Sequence, residues 1–346
     1  MAYSDPAYMD QTGTPAGGIS INNAYVQAYK AGFEQAFQQT ESKLQPYFES
    51  ETQNEEFQYF DRIGVAADMA SDDTRYGDNP NSAIEHDRRR IGLRDYELGK
   101  YIDEKDLKRV LTDPMNAYTQ ALLASGKRKI DDIIIDKFFG ETYTGKAGAT
   151  TVTFALGANN INDDLIYVGN LSKGNITTAG KYSVVAGDTE GFAITENYVA
   201  TGASASSGLT LDKLRAARHT MLRLEAIDQD TVIDCFLSAK QLDDLLRIDE
   251  VINSDYSVRK NLAEGNVTTF MGFRFIQTER LPVDDDGCRR VMVSIPKALK
   301  MSVGTALKGD VWRDPSKKNI PYVYFKLCAE AARMWGEVSG EIRCKE

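Results

Sequence analysis

The 346-residue chain is poor in the residues on which most catalysis and most metal binding depend. It has two histidines, so a Ser-His-Asp or Cys-His arrangement has almost nothing to draw on. His86 lies in a charged strand pattern and His219 in RAARHTML, and both read as surface residues. Four cysteines, Cys235, Cys288, Cys328 and Cys344, are far apart and show no CxxC spacing, which speaks against zinc. They sit in or near apolar runs and read as buried or reduced thiols. No run of 18 or more apolar residues occurs, which excludes a helical membrane span. The start, MAYSDPAYMDQTGTPAGG, has neither the basic nor the apolar region of a signal peptide. There is no internal repeat of fixed period. The expectation is a chain with no catalytic, cofactor or metal residues.

Positive charge is also in short supply, with 41 basic against 51 acidic residues and a net charge of −10. A dedicated nucleic-acid binder needs a basic face to neutralise phosphates. An acidic surface instead avoids sticking to DNA that lies beside it. Arg88, Arg89 and Arg90 form a basic run, but alternate strand residues point to opposite faces, so they make no flat patch. Exposed ion pairing is expected there, and Lys317–Lys318 reads as a turn pair. Asp284, Asp285, Asp286 and Gly287 lack the spacing and terminal Glu of a calcium loop and read as a solvated turn. Asp131 and Asp132, one apart on a helix, do not face each other and read as a charged outer face.

What is present is a sequence of elements. Residues 1–22, rich in Gly, Pro, Ser and Thr, read as an irregular arm. Val26, Tyr29, Phe33, Ala36, Leu44 and Tyr47 recur at steps that predict an amphipathic helix over 23–48. Residues 49–56 read as an acidic linker. A strand from Phe57 toward Ala67, a turn-rich tip at 71–82 and a second run, Ala83 to Tyr101, predict a long two-stranded ribbon. Such a ribbon is marginal alone and needs something to lie on. A two-faced helix follows: Thr112 or Asp113 caps it, Pro114 suits its first position and Gly140 follows its end. Tyr118, Leu122, Ile130, Ile134 and Phe138 share one face, and Gly126 marks a bend or a close backbone contact. Residues 141–208 read as irregular and β-rich, with TVTFAL and KYSVV as strands. A helix from Thr210 to Leu224, a buried strand TVIDCFLS and a helix AKQLDDLLR come next. Strands around FMGFRFIQTERLP and RRVMVSI follow, then a loop from VWRDP and long strands to the end.

Several of these runs, in order, carry a resemblance. HDRRRIGLRDYELGKYID and DPMNAYTQALLASGKRKIDDIIIDKFFGETYTG are similar to the returning ribbon and spine helix of tailed-bacteriophage major capsid proteins of the Hong Kong 97 type. LTLDKLRAARHTML and FLSAKQLDDLLRIDEVINSDYSVRKNLAEGNVTTFMGFRFIQTERLP resemble that family's axial domain, and VWRDP to EIRC its peripheral return strands. The resemblance runs from about Phe57 to Cys344. The stretch from Gly157 to Ser207 departs from it, being longer than the family's usual link.

The resemblance implies an α+β capsid fold divided as an arm at 1–56, an extended ribbon (E-loop) at 57–100 and a peripheral domain at 101–150 and 306–346. A β-rich insertion or elaborated loop at 151–208 and an axial domain at 209–305 complete it. It implies a non-enzyme that self-assembles as pentamers and hexamers around packaged double-stranded DNA, without sequence-specific contacts. Scaffolding protein, portal protein and a decoration protein are the further implied partners, with no membrane. The implied location is the virion, assembled in the bacterial host cytoplasm. Three other readings stay open at this point: a nanocompartment shell of the same fold, a carboxylate-based hydrolase, and a host-surface binding module at 141–208. The last would use Phe154, Tyr167, Tyr182, Phe192 and Tyr198.

Overall fold

The computed structural model describes residues 38–63, 84, 86–102, 115–154, 189–199, 202–203, 206–223, 226–248, 269–284, 286–317 and 319–346. The expected arm up to residue 37, the ribbon tip, Thr112 to Pro114 and residues 157–188 of the expected insertion lie outside the described residues. The chain opens with β1 (Glu49–Thr52), β2 (Phe57–Ile63), β3 (His86–Gly92), β4 (Asp95–Tyr101) and the long helix α1 (Met115–Phe139). Next come β5 (Thr142–Thr144), β6 (Thr150–Phe154), β7 (Thr189–Glu190), β8 (Phe192–Ile194), β9 (Tyr198–Val199) and β10 (Gly202–Ala203), then α2 (Leu211–Arg223). β11 (Ile233–Leu237), α3 (Ala239–Leu246), β12 (Thr269–Phe270), β13 (Phe273–Gln277) and β14 (Cys288–Ser294) follow. The last strands are β15 (Leu299–Asp314), β16 (Ile320–Arg333) and β17 (Ser339–Lys345).

Three larger sheets organise these strands, in the orders β12-β13-β11-β14-β17-β8, β2-β3-β5-β6-β7 and β1-β15-β16-β4. Residue contacts divide the chain into two units. The first holds the described residues of Met1–Gln38, Gly99–Leu122 and Asp310–Tyr324. The second holds Gln39–Leu98, Leu123–Gly309 and Phe325–Glu346.

The core of the second unit follows from strand alternation. All five residues of β11 are buried. Ile233, Cys235 and Leu237 join a cluster with Leu214, Ala217 and Met221 of α2 and Leu245 of α3. Phe236 joins a cluster with Ile130, Ile133, Ile134 and Phe138 of α1, together with Leu44 and Phe48. A strand covered on both faces places successive side chains in two different cores. Neighbouring β14 repeats the division, with Val291 and Val293 in one cluster and Met292 in the other. Helix α3 is set by a capping box, Ser238 and Gln241 satisfying each other's backbone donors.

Helix α1 covers 25 residues, about 38 Å at about 1.5 Å per residue. It ends where expected, but its second half is not two-faced. Ile130, Asp131, Ile133, Ile134, Ile135 and Phe138 are all buried, because sheet and chain pack on more than one side of it. Gly126 marks a close approach: an added Cβ would stand 2.6 Å from Leu307 Cδ1.

Four expectations need correction. The helix expected over 23–48 does not reach its last residues, since Gln45–Tyr47 is one 3-10 turn that Pro46 opens. The expected linker contains β1, parallel to β15 with Glu49 opposite Lys300. All four β1 residues are exposed, so no hydrophobic alternation announces the strand, and Lys300, 2.5 Å from Glu51, offsets its charge. The run Ala83–Tyr101 is two strands in different sheets, broken at Leu93 and Arg94. There Leu93 N donates to Glu56 O and Ala329 N to Arg94 O, so two of the backbone groups freed by the break find new partners. Finally, VWRD belongs to strand β15, and Pro315 to Lys317 form a short 3-10 turn before β16.

Candidate functional site

The ribbon root, where β2 and β3 join β5, is where sequence and structure differ most. The two strands pair antiparallel from Phe57 opposite Gly92 to Ile63 opposite His86. Their alternation sorts side chains onto two contrasting faces. Phe57, Tyr59 and Ile63 of β2 are exposed, while Arg62 is 2% exposed. On β3, Arg89 and Ile91 are buried, and Arg88 and Arg90 lie on the opposite face.

The inner face gathers three buried guanidiniums, Arg62, Arg89 and Arg333. Arg62 Nε donates to Asp87 Oδ2 at 3.2 Å, and its Nη1 donates to the carbonyl of Met334. Arg89 donates to Glu190 Oε1, and Arg333 Nε stands 3.7 Å from Glu190 Oε2. Arg333 also donates through Nη1 to Phe138 O at 2.6 Å and Gly140 O at 3.1 Å, which ties the exit of α1 to the end of β16. Trp335 lies 5.0 Å beneath Arg62 and Phe154 5.1 Å beneath Arg333, each giving a cation a ring face. Burial, reinforced by the like charge of Arg62, pulls Arg89 and Arg333 down to about 9. Burial pushes the Asp87 carboxyl up, but hydrogen bonds from Thr144 and Arg62 outweigh it, and the group settles below its ordinary value.

The outer face is aromatic and basic. Arg88 pairs with Asp61 at 2.6 Å and lies over Tyr59. The Arg90 guanidinium lies 4.9 Å from the Phe57 ring and 4.8 Å from that of Tyr143. Tyr59 Oη donates to Ala147 O at 3.4 Å in the β5–β6 turn.

His86 and His219 are exposed, as expected. Asp284 accepts from Arg343 and its carbonyl accepts from Gly287 N, so the turn is tied to β17 and not merely solvated. Asp285 lies outside the described residues. Arg89 is fully buried, which overturns the expectation of exposed pairing for it; its partner Glu190 is 101 residues away and gives no local signal. Asp131 is also fully buried and overturns the outer-face reading. It accepts from Gln39 Nε2 and Ser42 Oγ at 2.5 Å and from the backbone N–H of Lys43 and Leu44 at 3.1 Å. Asp132 instead meets Arg280 in a bidentate pair, both bonds 2.6 Å. Lys317 lies 5.6 Å from the Tyr101 ring, and Lys318 is outside the described residues.

Two charged sites carry no sequence signal. Glu341 is fully buried between Arg290, 2.8 Å away, and Arg343, and burial raises its carboxyl. Buried Lys213 donates to the carbonyls of Ser207, Gly208 and Arg343, all within 2.9 Å. Among the described residues, no group of three or more His, Cys, Asp or Glu is arranged to hold a metal ion. All four cysteines are free, and burial pushes Cys344 up to about 12. Within the first unit, Tyr101, Trp312, Tyr322 and Tyr324 form an aromatic row with centroids 4.4 to 6.1 Å apart, Tyr101 and Trp312 exposed.

Residues 21–346 match the family model described as phage capsid protein. Among curated proteins no sequence relative is found. Solved structures are similar in fold. The capsid of cyanophage P-SCSP1u aligns at a TM-score of 0.67 and 11% identity, covering 100% of both chains. The cyanophage Pam1 capsid aligns at 0.63 and 13%, covering 95% of this chain and 99% of that one. The capsid of the native GTA particle aligns at 0.62 and 13%, covering 94% and 98%.

Proposed function

The chain belongs to the phage capsid protein family, and from that premise we propose that its copies close into an icosahedral shell of pentamers and hexamers around double-stranded phage DNA. It is a capsid shell protein, and its place is the virion capsid. The observation that carries the assembly reading is the outer face of the ribbon root. Phe57, Tyr59 and Ile63 are exposed on a strand whose other face is locked by buried Arg62. Exposed apolar side chains along one strand face, with the Asp61–Arg88 pair among them, suit contact with another copy.

In this reading residues 1–56 act as an arm, 57–100 as the extended ribbon, and 101–150 with 306–346 as the peripheral domain. Residues 151–208 form an insertion and 209–305 the axial domain. Contact with neighbouring copies falls to the arm up to residue 37 and to the ribbon, since residues 39–52 pack on this chain's own α1 and β15. Work is done by contact and not by catalysis. Scaffolding protein guides assembly in the bacterial host cytoplasm, portal protein occupies one vertex, and a decoration protein is a further candidate partner. DNA is enclosed without sequence-specific contacts, consistent with the net charge of −10.

No lysine occurs between Lys43 and Lys100, so the ribbon from Phe57 to Gly99 lacks the amine that an isopeptide link to a neighbour needs. The shell is therefore held by non-covalent contacts, in which apolar burial outweighs exposed ion pairs of about 0–1 kcal/mol each. Negative-stain microscopy of the expressed chain tests the reading: closed shells, tubes or capsomers are expected, and a monodisperse monomer at high concentration would overturn it. Particles boiled in detergent without reductant should run as one band near monomer mass.

A further inference from the structure

We infer that Arg90 is a preorganised docking point for a carboxylate on a second copy of this chain, a reading that rests on the shell function proposed above. Arg90 differs from the other arginines of the ribbon root. Arg62, Arg88 and Arg89 each hold a carboxylate. The Arg90 guanidinium makes no hydrogen bond or ion pair to any described residue, yet it is firmly placed.

Three features place it. The rings of Phe57 and Tyr143, one on each neighbouring strand, lie against its guanidinium at 4.9 and 4.8 Å. The register sets Tyr59 and Tyr143 opposite it, so its stem runs between aromatic side chains. Gly148 of the β5–β6 turn covers the stem at φ +61°, and a Cβ there would stand 2.6 Å from Arg90 Cδ and 2.9 Å from Nε. A guanidinium held by its faces keeps its edge donors for a planar anion, which a carboxylate meets with two parallel bonds.

The recess beside Arg90 does not supply that anion. Of its carboxylates, Glu330 is taken by Arg94 at 3.1 Å and Lys137 at 3.6 Å. Glu56 and Glu141 line the same recess, exposed, and neither bonds to Arg90. Charge complementarity favours another copy as the source. The outer face of β2 and β3 presents Arg88 and Arg90 against Asp61 alone, while the whole chain carries 51 carboxylates and a net −10. A nucleic-acid phosphate has the same shape of demand, but a surface of that overall sign repels it.

The experiment compares the wild-type chain with Arg90→Met and Arg90→Lys. Circular dichroism should find both variants folded, since the methionine still fills the space between the rings. Light scattering should show that Arg90→Met needs about tenfold or more protein to assemble, as when one partner of an interfacial charge pair is truncated. The Arg90→Lys chain places the only lysine amine between Lys43 and Lys100, so assembled particles can be treated with a water-soluble carbodiimide. Peptide mass spectrometry should then find an amide from position 90 to an Asp or Glu of another copy. Mixed isotope-labelled and unlabelled chains distinguish this from a link within one chain. Links only to Glu56 or Glu141 of the same chain, or no link at position 90, would overturn the inference. So would unchanged assembly of Arg90→Met, or a loss confined to duplex-DNA binding. A wild-type chain that never assembles sinks the shell reading first; a wild type that assembles as readily as Arg90→Met sinks this inference alone.

Discussion

In the six-stranded sheet, β11 puts Ile233, Cys235 and Leu237 into one core and Phe236 into another, whereas at the ribbon root the same alternation buries Arg62 and Arg89 and exposes Phe57 and Tyr59. Both regions belong to the same unit and use the same two-residue period. They differ in what covers them. β11 has helices and strands on both faces, so apolar burial is available everywhere. The ribbon root is closed over on its inner face, with only the β5–β6 turn against the other, and the inner covering brings charged side chains. A buried ion network gives little net stability because desolvation opposes the Coulomb attraction, but it is severe on any single break. It therefore suits a place where one geometry must be held, not a place that supplies the bulk of stability.

The comparison breaks first at its apolar end. Phe236→Ala should cost about 3–5 kcal/mol in urea unfolding, because Phe236 fills a closed core against Tyr47 and Phe48, each with centroids 5.7 Å away. A smaller cost would mean that the core collapses around the gap. At the ribbon root, Arg62→Met should also cost up to about 3–5 kcal/mol, for a different reason: it leaves the partly buried Asp87 with only the more distant Arg89, 4.0 Å away, as its cation. The double change with Asp87→Asn should recover part of that loss, and a strictly additive double variant would show that the pair is not coupled.

Asp131→Asn falls between the two kinds of region, a buried carboxylate in the interior of α1 among apolar neighbours. It should cost about 1–3 kcal/mol by denaturant titration, since an amide cannot accept all four donors that reach the carboxylate.

Acid sharpens the contrast by sign. Asp87 is held below its ordinary 3.8, so it stabilises the fold above that pH and loses this as pH falls through its folded value. Glu341 is raised above its ordinary 4.5, so its charged form is a penalty near neutrality that is relieved as pH falls toward 4.5. In stability measured against pH, Asp87→Asn should remove an acid loss and Glu341→Gln an acid gain. The same direction for both would contradict the geometry. The smallest effect belongs to the exposed pair of Asp243 on α3 and Arg247 at its C-terminal cap, 2.7 Å apart, where Arg247→Ala should change stability by no more than about 1 kcal/mol.

From residues alone, the features legible in this chain are those written locally. Helix α1 and its end at Phe139, α2, β11, α3 and β14 stand where periodicity, capping and apolar runs place them. The ordered series of motifs was enough to indicate the capsid family. The tertiary structure decided the fate of the charges and of the strand edges. Arg89 reads as a surface residue until Glu190, 101 positions away, is beside it, and Asp131 until residues 39–44 fold over it. Strand β1 shows no alternation because its order comes from pairing with β15, some 250 residues later. The period-two pattern of 83–101 continues across a change of sheet, so it cannot report the break at Leu93 and Arg94. Local rules describe a residue's own backbone and its near neighbours. Whether a charge is buried, paired or left free depends on which distant segment arrives, and that is settled only when the chain closes on itself.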